Sequence, residues 1–379
     1  MPELPLRGTR ILEVEGIGPG PFAAMMLGDL GADVIVVHRP RIEPPPGTKE
    51  LPITDRGKRS ITLDLKSSAD CAIFMQLVSG ADGLIEGFRP GVMERLGLGP
   101  KDCHESNTRL VYGRMTGWGQ AGPLASRAGH DLNYISLAGA LWATALPGER
   151  PSAPPTLLGD IGGGALYLVA GMLSGLLMAM RTGQGTVVDA AIYDGVSHLQ
   201  NLLLSIEGAE GRGVPAQSNP LVGAHWSRTY RCADDRFLSV QCLEPKFYQI
   251  FLERLGLSDD RDFSDNQFNR SAWPRLSKRL EDIFLRGDLS HWDQLFAGSD
   301  TCVAPVLSPE EAYRHPHNQM RETWQMTSNG LQAAAAPRFL DVSVGSPPSI
   351  CRRGEHTDEI LTELNSDIGW GSSKPGQAT

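Results

Sequence analysis

The sequence predicts an α/β protein: a parallel sheet covered by helices, followed by a smaller α+β domain. Three observations carry this. Up to Met115, short apolar runs alternate with helical patterns, as crossover connections in a parallel sheet require. After Met115 the alternation gives way to Gly-rich loops and longer helices. Beyond residue 225 a hairpin signal and amphipathic helices form a second, mixed unit.

The elements follow in order. Thr9–Val14 reads as a strand, Phe22–Leu30 as a helix and Asp33–Val37 as a continuous apolar strand. Arg59–Leu65 is a strand, Ala69–Val78 a helix and Gly83–Ile85 a short strand. Arg89-Pro-Gly turns into a helix near Val92–Leu96, and Arg109–Met115 is the next strand. Thr116–Ala128 lacks periodicity and reads as a loop. Leu132–Ala143 and Ala165–Met180 read as helices around the Pro-rich Pro147–Pro155, then a strand at Thr186–Val188 and a helix at Ala190–Ile206. In the second unit Arg228–Cys232 and Phe237–Gln241 flank Ala233-Asp-Asp-Arg as a hairpin. Helices are expected near Lys246–Leu255, Trp273–Leu285 and Ser290–Phe296. The expected organisation is a large domain over 1–206, a linker over 207–225 and a small α+β domain over 226–330. Residues 331–365 return to the large domain, with Pro337-Arg-Phe-Leu as an edge strand, and 366–379 form a flexible tail.

With 379 residues, 35 Lys plus Arg against 44 Asp plus Glu, the net charge of −9 argues against a nucleic-acid partner. Six scattered cysteines without a C-x-x-C pair read as reduced thiols in a cytosolic-type compartment. No secretory signal opens the chain and no S-K-L address closes it. A cytoplasmic or organellar-matrix location is expected, peroxisome or mitochondrion included. Ile161–Met180 is uncharged and long enough to span a bilayer, but Asp160 and Arg181 flank it directly. Gly171, Ser174 and Gly175 suit close packing, so it reads as a core helix and no membrane span is expected.

Gly18-Pro-Gly-Pro-Phe-Ala23 matches a dinucleotide fingerprint by letter. Pro19 and Pro21 remove the N–H donors a pyrophosphate needs, and the second strand ends at His38-Arg39 instead of an acid. It therefore reads as a tight turn packing helix on strand. Arg39, Lys66, Arg89 and Arg95 fall at expected strand ends, either as solvated surface charge or as a phosphate-binding set. In Gly129-His-Asp-Leu-Asn-Tyr134, Asp131 suits a helix cap. Asp160, between glycines ahead of an uncharged helix, is either a cap or a buried acid, and Glu244 ends a strand as a turn carboxylate. The nine histidines give no credible metal site, and neither a P-loop nor a G-x-S-x-G elbow occurs.

Together these motifs resemble the family III CoA transferases, and within them the α-methylacyl-CoA racemase branch. The resemblance runs through Glu15-Gly-Ile-Gly-Pro-Gly-Pro, Met25-Met-Leu-Gly-Asp-Leu-Gly-Ala-Asp-Val, Arg39-Pro, Leu63-Asp-Leu-Lys66 and Glu86-Gly-Phe-Arg89-Pro-Gly. It continues in Glu94-Arg95-Leu-Gly-Leu-Gly-Pro, Gly113-Arg-Met-Thr-Gly-Trp-Gly-Gln120, Gly129–Tyr134, Gly159-Asp-Ile-Gly-Gly-Gly164 and Val188-Asp-Ala-Ala191. It implies a Rossmann-like large domain, a smaller domain and an interlocked homodimer. It also implies an acyl-CoA substrate, with CoA carried as the thioester and no separate cofactor.

The CoA moiety would lie near Arg39, Leu63, Asp64, Leu65, Lys66, Gly87, Phe88, Arg89 and Arg95. Gly129, Asp131, Asn133 and Tyr134 would line the thioester pocket. The transferases of this family carry Tyr before the aspartate that becomes acylated; here His130 precedes Asp131. The resemblance thus implies a racemase of (2R)- and (2S)-2-methylacyl-CoA thioesters, with His130 and Asp160 as opposed bases and Glu244 orienting the histidine across the dimer interface. The alternative is a transferase using Asp131 as nucleophile. Two positions depart from the racemase pattern: Thr156 stands where those racemases carry Asn, and Leu202-Leu-Leu204 where they carry methionines.

Overall fold

The computed structural model describes residues 3–40, 51–144, 150–206, 219–342 and 348–366. It divides into two compact units: residues 1–138, 154–200 and 317–379 form one, and 139–153 with 201–316 form the other.

The first unit is built on six parallel strands: β1 (Arg10–Val14), β2 (Asp33–His38), β3 (Arg59–Thr62), β4 (Gly83–Glu86), β5 (Val111–Thr116) and β6 (Thr186–Ala191). Their order is β3-β2-β1-β4-β5-β6. Strands β1 and β2 are buried at nearly every position, the mark of a sheet covered on both faces. The α/β class expected from the sequence is the observed one. Leu12, Val14, Ile35, Val37, Ile61, Leu84 and Tyr112 form the core of one face. Parallel strands place all their carboxyl ends at one edge, and the order reverses between β1 and β4, where such sheets open a crevice.

Helix α1 (Pro19–Asp29) begins three residues before the expected Phe22, because Pro is compatible with the first turn of a helix, where its missing N–H is not needed. Helix α2 (Ser68–Ser79) starts where Ser67 Oγ accepts the Asp70 amide. A short α3 (Val92–Arg95) follows, then α4 (Pro100–Ser106), which the hydrophobic pattern does not announce. The single helix expected over Leu132–Ala143 is broken: α5 (Asp131–Leu137) ends, Gly139 takes φ +88°, and a 3₁₀ turn covers Ala140–Thr144.

The uncharged segment forms a π-helical stretch, Leu157–Ala165, running into α6 (Leu166–Thr182). Leu168, Val169, Met172 and Leu176 are buried. A methyl group at Gly171 would lie 2.5 Å from Val188, and one at Gly175 2.6 Å from Val111. Such close approach to β5 and β6 identifies α6 as a layer of the α/β fold. Helix α7 (Ile192–Ile206) follows β6 directly.

The second unit carries α8 (Pro220–Gly223), strands β7 (Ser227–Arg231) and β8 (Phe237–Gln241) as the expected hairpin, and β9 (Val303–Pro305) as a third antiparallel strand. Helices α9 (Pro245–Arg254), α10 (Arg261–Ser264), α11 (Trp273–Phe284), α12 (Leu289–Phe296) and α13 (Pro309–Arg314) complete it. Its core is aromatic, with Trp226, Tyr230, Phe251, Phe263, Phe284 and Trp292 buried together. Most of the expected linker, residues 207–218, lies outside the described residues, as do 367–379 of the expected tail and 145–149 of the Pro-rich stretch.

After α14 (Pro316–Met320) the chain forms a small hairpin, β10 (Trp324–Thr327) with β11 (Gly330–Ala333), and ends in α15 (Thr357–Asn365). The edge strand expected at Pro337-Arg-Phe-Leu does not form. The outer edge of β3 is already occupied: the Ser60 amide donates to His356 Nδ1, the Thr62 amide to Thr357 Oγ1, and the His356 amide to the Ser60 carbonyl. Arg59 adds ion pairs to Glu359 and Glu363.

Candidate active site

A cavity of about 360 Å³ opens at the carboxyl edge of the sheet. The β1–α1 turn, Gly16–Pro21, forms one wall and the turn after β4, Gly87–Pro90, another. These loops leave the two strands between which the order reverses. Thr116, Gly117 and Trp118 after β5 contribute a third side, and Gly129, His130, Tyr134 and Asp160 complete the lining.

Each wall is fixed by buried polar bonds. Glu86, 1% exposed, accepts the Phe88 amide at 2.7 Å and Arg114 Nε at 3.0 Å, pinning the Gly87–Arg89 turn. Behind the other wall, Lys58 is wholly buried and pairs with Glu13 at 2.5 Å and Asp55 at 3.3 Å. Its third bond, 3.2 Å to the Pro21 carbonyl, ties this cluster to the lining turn. Gly18 has φ +70°, left-handed backbone that favours glycine, and its Cα faces Asp160 Oδ2 closely enough that a methyl group there would be in ordinary contact with it at 3.6 Å.

His130 is exposed and sits at the N-terminus of α5, its backbone in extended geometry. Its amide donates to Asn133 Oδ1 at 3.1 Å, and the Asn133 amide returns to the His130 carbonyl at 2.8 Å. The Tyr134 hydroxyl donates to the Gly129 carbonyl, and Trp118 packs edge-on against Tyr134 at 4.7 Å. These bonds position the backbone that carries the histidine.

Asp160 projects from the π-helical stretch, a geometry frequent at functional sites. Its amide donates to Asp131 Oδ1 at 2.9 Å. The Ile161 amide donates to the Thr156 carbonyl at 3.0 Å, so the amides of Asp160 and Ile161 are both engaged within the protein. Thr156 adopts φ +63°, left-handed backbone that favours Asn or Gly over a β-branched residue. Burial raises the Asp160 carboxyl to about 6, the negative charge of Asp131 adds to the rise, and His130 opposes it. An acid poised there can hold or release a proton near neutral pH. Asp131→Asn keeps an acceptor for the Asp160 amide and removes the charge. The Asp160 titration, followed by carboxyl carbon NMR, is expected to move down towards the ordinary carboxylate range; an unmoved titration would contradict this coupling.

The profile described as "CoA-transferase family III" matches residues 6–357. The chain belongs to that family. It is 39% identical over 364 residues to the human "Alpha-methylacyl-CoA racemase", covering 95% of this chain and 93% of that protein. It is 29% identical to the "Acetyl-CoA:oxalate CoA-transferase" of Acetobacter aceti, over 84% of this chain and 85% of that one. Among solved structures, a CAIB/BAIF family protein from Brucella suis superposes with a TM-score of 0.78 at 26% identity, over 95% of this chain and 99% of that one.

Of the family's residues carried over from sequence, Gly87, Phe88, Arg89, Gly129, His130, Tyr134 and Asp160 line the cavity. Arg39, at the end of β2, stacks its guanidinium 5.4 Å from the Phe88 ring centroid. Leu63 is buried below the β3 end, Asp64 and Lys66 are exposed beside it, and Leu65 packs on the core; none lines the cavity. Arg95 folds over the Gly91 turn. Asp131, 9% exposed, and the exposed Asn133 brace the cavity from outside its lining. Glu244 belongs to the second unit, exposed at the N-terminus of α9. Leu202 and Leu204 are exposed on α7.

The Gly18–Ala23 motif reads from sequence as a packing turn, yet its Gly18–Pro21 portion forms a cavity wall. Trp118, to which the sequence assigns no role, also lines the cavity, and its Nε1 is buried without an acceptor among the described residues. Of the four cations expected at strand ends, Arg39, Lys66 and Arg89 follow β2, β3 and β4, whereas Arg95 ends helix α3; only Arg89 lines the cavity. Among the described residues, no three His, Cys, Asp or Glu side chains are grouped to hold a metal ion.

Proposed function

We propose that this protein is a racemase of 2-methylacyl-CoA thioesters, working by proton transfer at carbon 2 between His130 and Asp160. The observation that carries the reading is the division of labour among three adjacent groups. His130 and Asp160 both line the cavity, while Asp131 lies outside its lining and accepts the Asp160 amide. A transferase nucleophile at Asp131 would need a free carboxylate oxygen facing substrate. The similarity to the human racemase supports the same choice.

The chemistry is balanced without a redox partner. One base removes the carbon-2 proton, the C–H electron pair becomes the enolate double bond, and negative charge moves to the thioester oxygen. The acid on the opposite face then donates a proton to carbon 2, re-forming the carbonyl. In one direction neutral His130 is the base and protonated Asp160 the acid; in the other, ionised Asp160 is the base and protonated His130 the acid. A carboxyl near 6 lets Asp160 serve as acid or as base near neutrality, as the two directions require. Glu244 of the partner subunit, in a homodimer, orients the histidine in this proposal. CoA is part of the substrate, and the proposal involves no separate cofactor.

Arg39 and Arg95 are proposed to hold CoA phosphates. Replacing either with Ala is expected to weaken acyl-CoA binding by about 1.5–3 kcal/mol, the worth of a charged hydrogen bond, and to spare acyl-pantetheine. Equal losses for both ligands, measured by calorimetry, would place the arginines elsewhere. The function itself is tested by following enantiomeric excess of a single 2-methylacyl-CoA enantiomer, alongside hydroxylamine trapping. Loss of excess without a trapped acyl group at Asp131 is expected. A trapped Asp131 adduct with the excess preserved would establish the transferase instead.

A further inference from the structure

The C-terminal segment sends a cation to the carboxyl edge of the sheet. Arg353 Nη2 donates to Glu15 Oε1 at 2.6 Å and Nη1 to Glu15 Oε2 at 3.0 Å, a bidentate pair. Glu15 is the first residue beyond β1, and its Oε2 also accepts the Arg39 amide at 2.9 Å. Arg353 Nη1 donates in turn to the Arg39 carbonyl at 2.9 Å. The pair therefore grips the Arg39 peptide from both sides, N–H through Glu15 and C=O through Arg353. The Gly354 amide, 2.7 Å from Ser60 Oγ, anchors the segment that carries Arg353.

We propose that the Arg353–Glu15 pair is a positioning and charge-balancing device for phosphate recognition by Arg39. This rests on the acyl-CoA reading of the site. Without Arg353, Glu15 would leave an uncompensated carboxylate directly beside Arg39, opposing the attraction of any phosphate. The Arg353 side chain is 34% exposed and that of Glu15 16%, so losing the pair also costs some folding stability, and ligand binding is therefore measured well below the melting temperature of each variant.

The test compares Arg353→Met, Glu15→Gln and the double variant by calorimetry with acyl-CoA and acyl-pantetheine. Gln keeps an acceptor for the Arg39 amide while removing the charge. Arg353→Met is expected to weaken acyl-CoA binding about tenfold and acyl-pantetheine less than about twofold, and the double variant to recover most of the loss. Glu15→Gln alone is expected to bind acyl-CoA at least as tightly as wild type. If the double variant binds acyl-CoA no better than Arg353→Met, the pair is a brace without an electrostatic role and the proposal fails. It fails also if Arg353→Met weakens both ligands equally or neither. Arg39→Ala is the control: equal loss of both ligands there would overturn the acyl-CoA reading of this edge itself.

Discussion

His130→Ala and Asp160→Ala are each expected to lower the proposed racemisation of 2-methylacyl-CoA by about 10²–10⁴-fold, the range that positioned acid–base groups contribute. The two variants fail in different ways. With Asp160 removed, His130 can still take a proton from one face, so carbon 2 of one enantiomer exchanges with solvent without inversion. With His130 removed, exchange survives on the other enantiomer. Resemblance assigns the histidine to the 2S and the aspartate to the 2R substrate, so proton NMR in deuterated water should show opposite selectivity. Asp131→Asn is far milder, because an amide oxygen can still accept the Asp160 N–H. Glu244→Gln is expected to lie between wild type and His130→Ala. Near-normal His130→Ala with inactive Asp131→Asn would contradict this assignment.

Lys58→Met costs about 3–5 kcal/mol of stability, the penalty for removing one partner of a buried ion pair. Lys58 is wholly buried and Glu13 is 1% exposed, so neither charge can turn to water. Burial already raises the Glu13 carboxyl above its ordinary value, with Lys58 the chief opposing influence. Removing Lys58 raises it further. A carboxyl raised in the folded state binds its proton more tightly there than in the unfolded chain, so its contribution falls as pH rises through the folded pKa. The deficit of Lys58→Met should therefore be larger at about pH 8 than at about pH 5. Denaturant unfolding at both values checks it; a deficit below about 1 kcal/mol, or one independent of pH, would contradict the argument. The same variant loses the bond to the Pro21 carbonyl, so the Gly16–Pro21 wall is expected to loosen.

The sheet was legible because β2 carries the continuous apolar run Val34–Val37 and because β1 and β5 are largely apolar, each interrupted by one buried charge, Glu13 and Arg114, as strands covered on both faces are. The cavity was half legible. Gly129–Tyr134 and Gly159–Gly164 are local motifs, and both reach the same cavity. Helix limits near proline and glycine depart from the apolar pattern because Pro19 is permitted in a first turn and Gly139 breaks a helix whose apolar pattern continues. The π-helical stretch at Asp160 has no periodic signature that distinguishes it from an α-helix start. Lys58 with Glu13, and Arg353 with Glu15, pair residues 45 and 338 positions apart. Nothing in spacing reveals such pairs; they exist only because the sheet brings strand ends together and the C-terminal segment crosses that edge.

The most direct test of the central claim is incubation of one 2-methylacyl-CoA enantiomer in deuterated water with no acceptor acid. Two-base proton transfer predicts racemisation with deuterium appearing at carbon 2. A thioester that stays optically pure and unlabelled, and reacts only when a free carboxylic acid is supplied, would contradict it and establish acyl transfer.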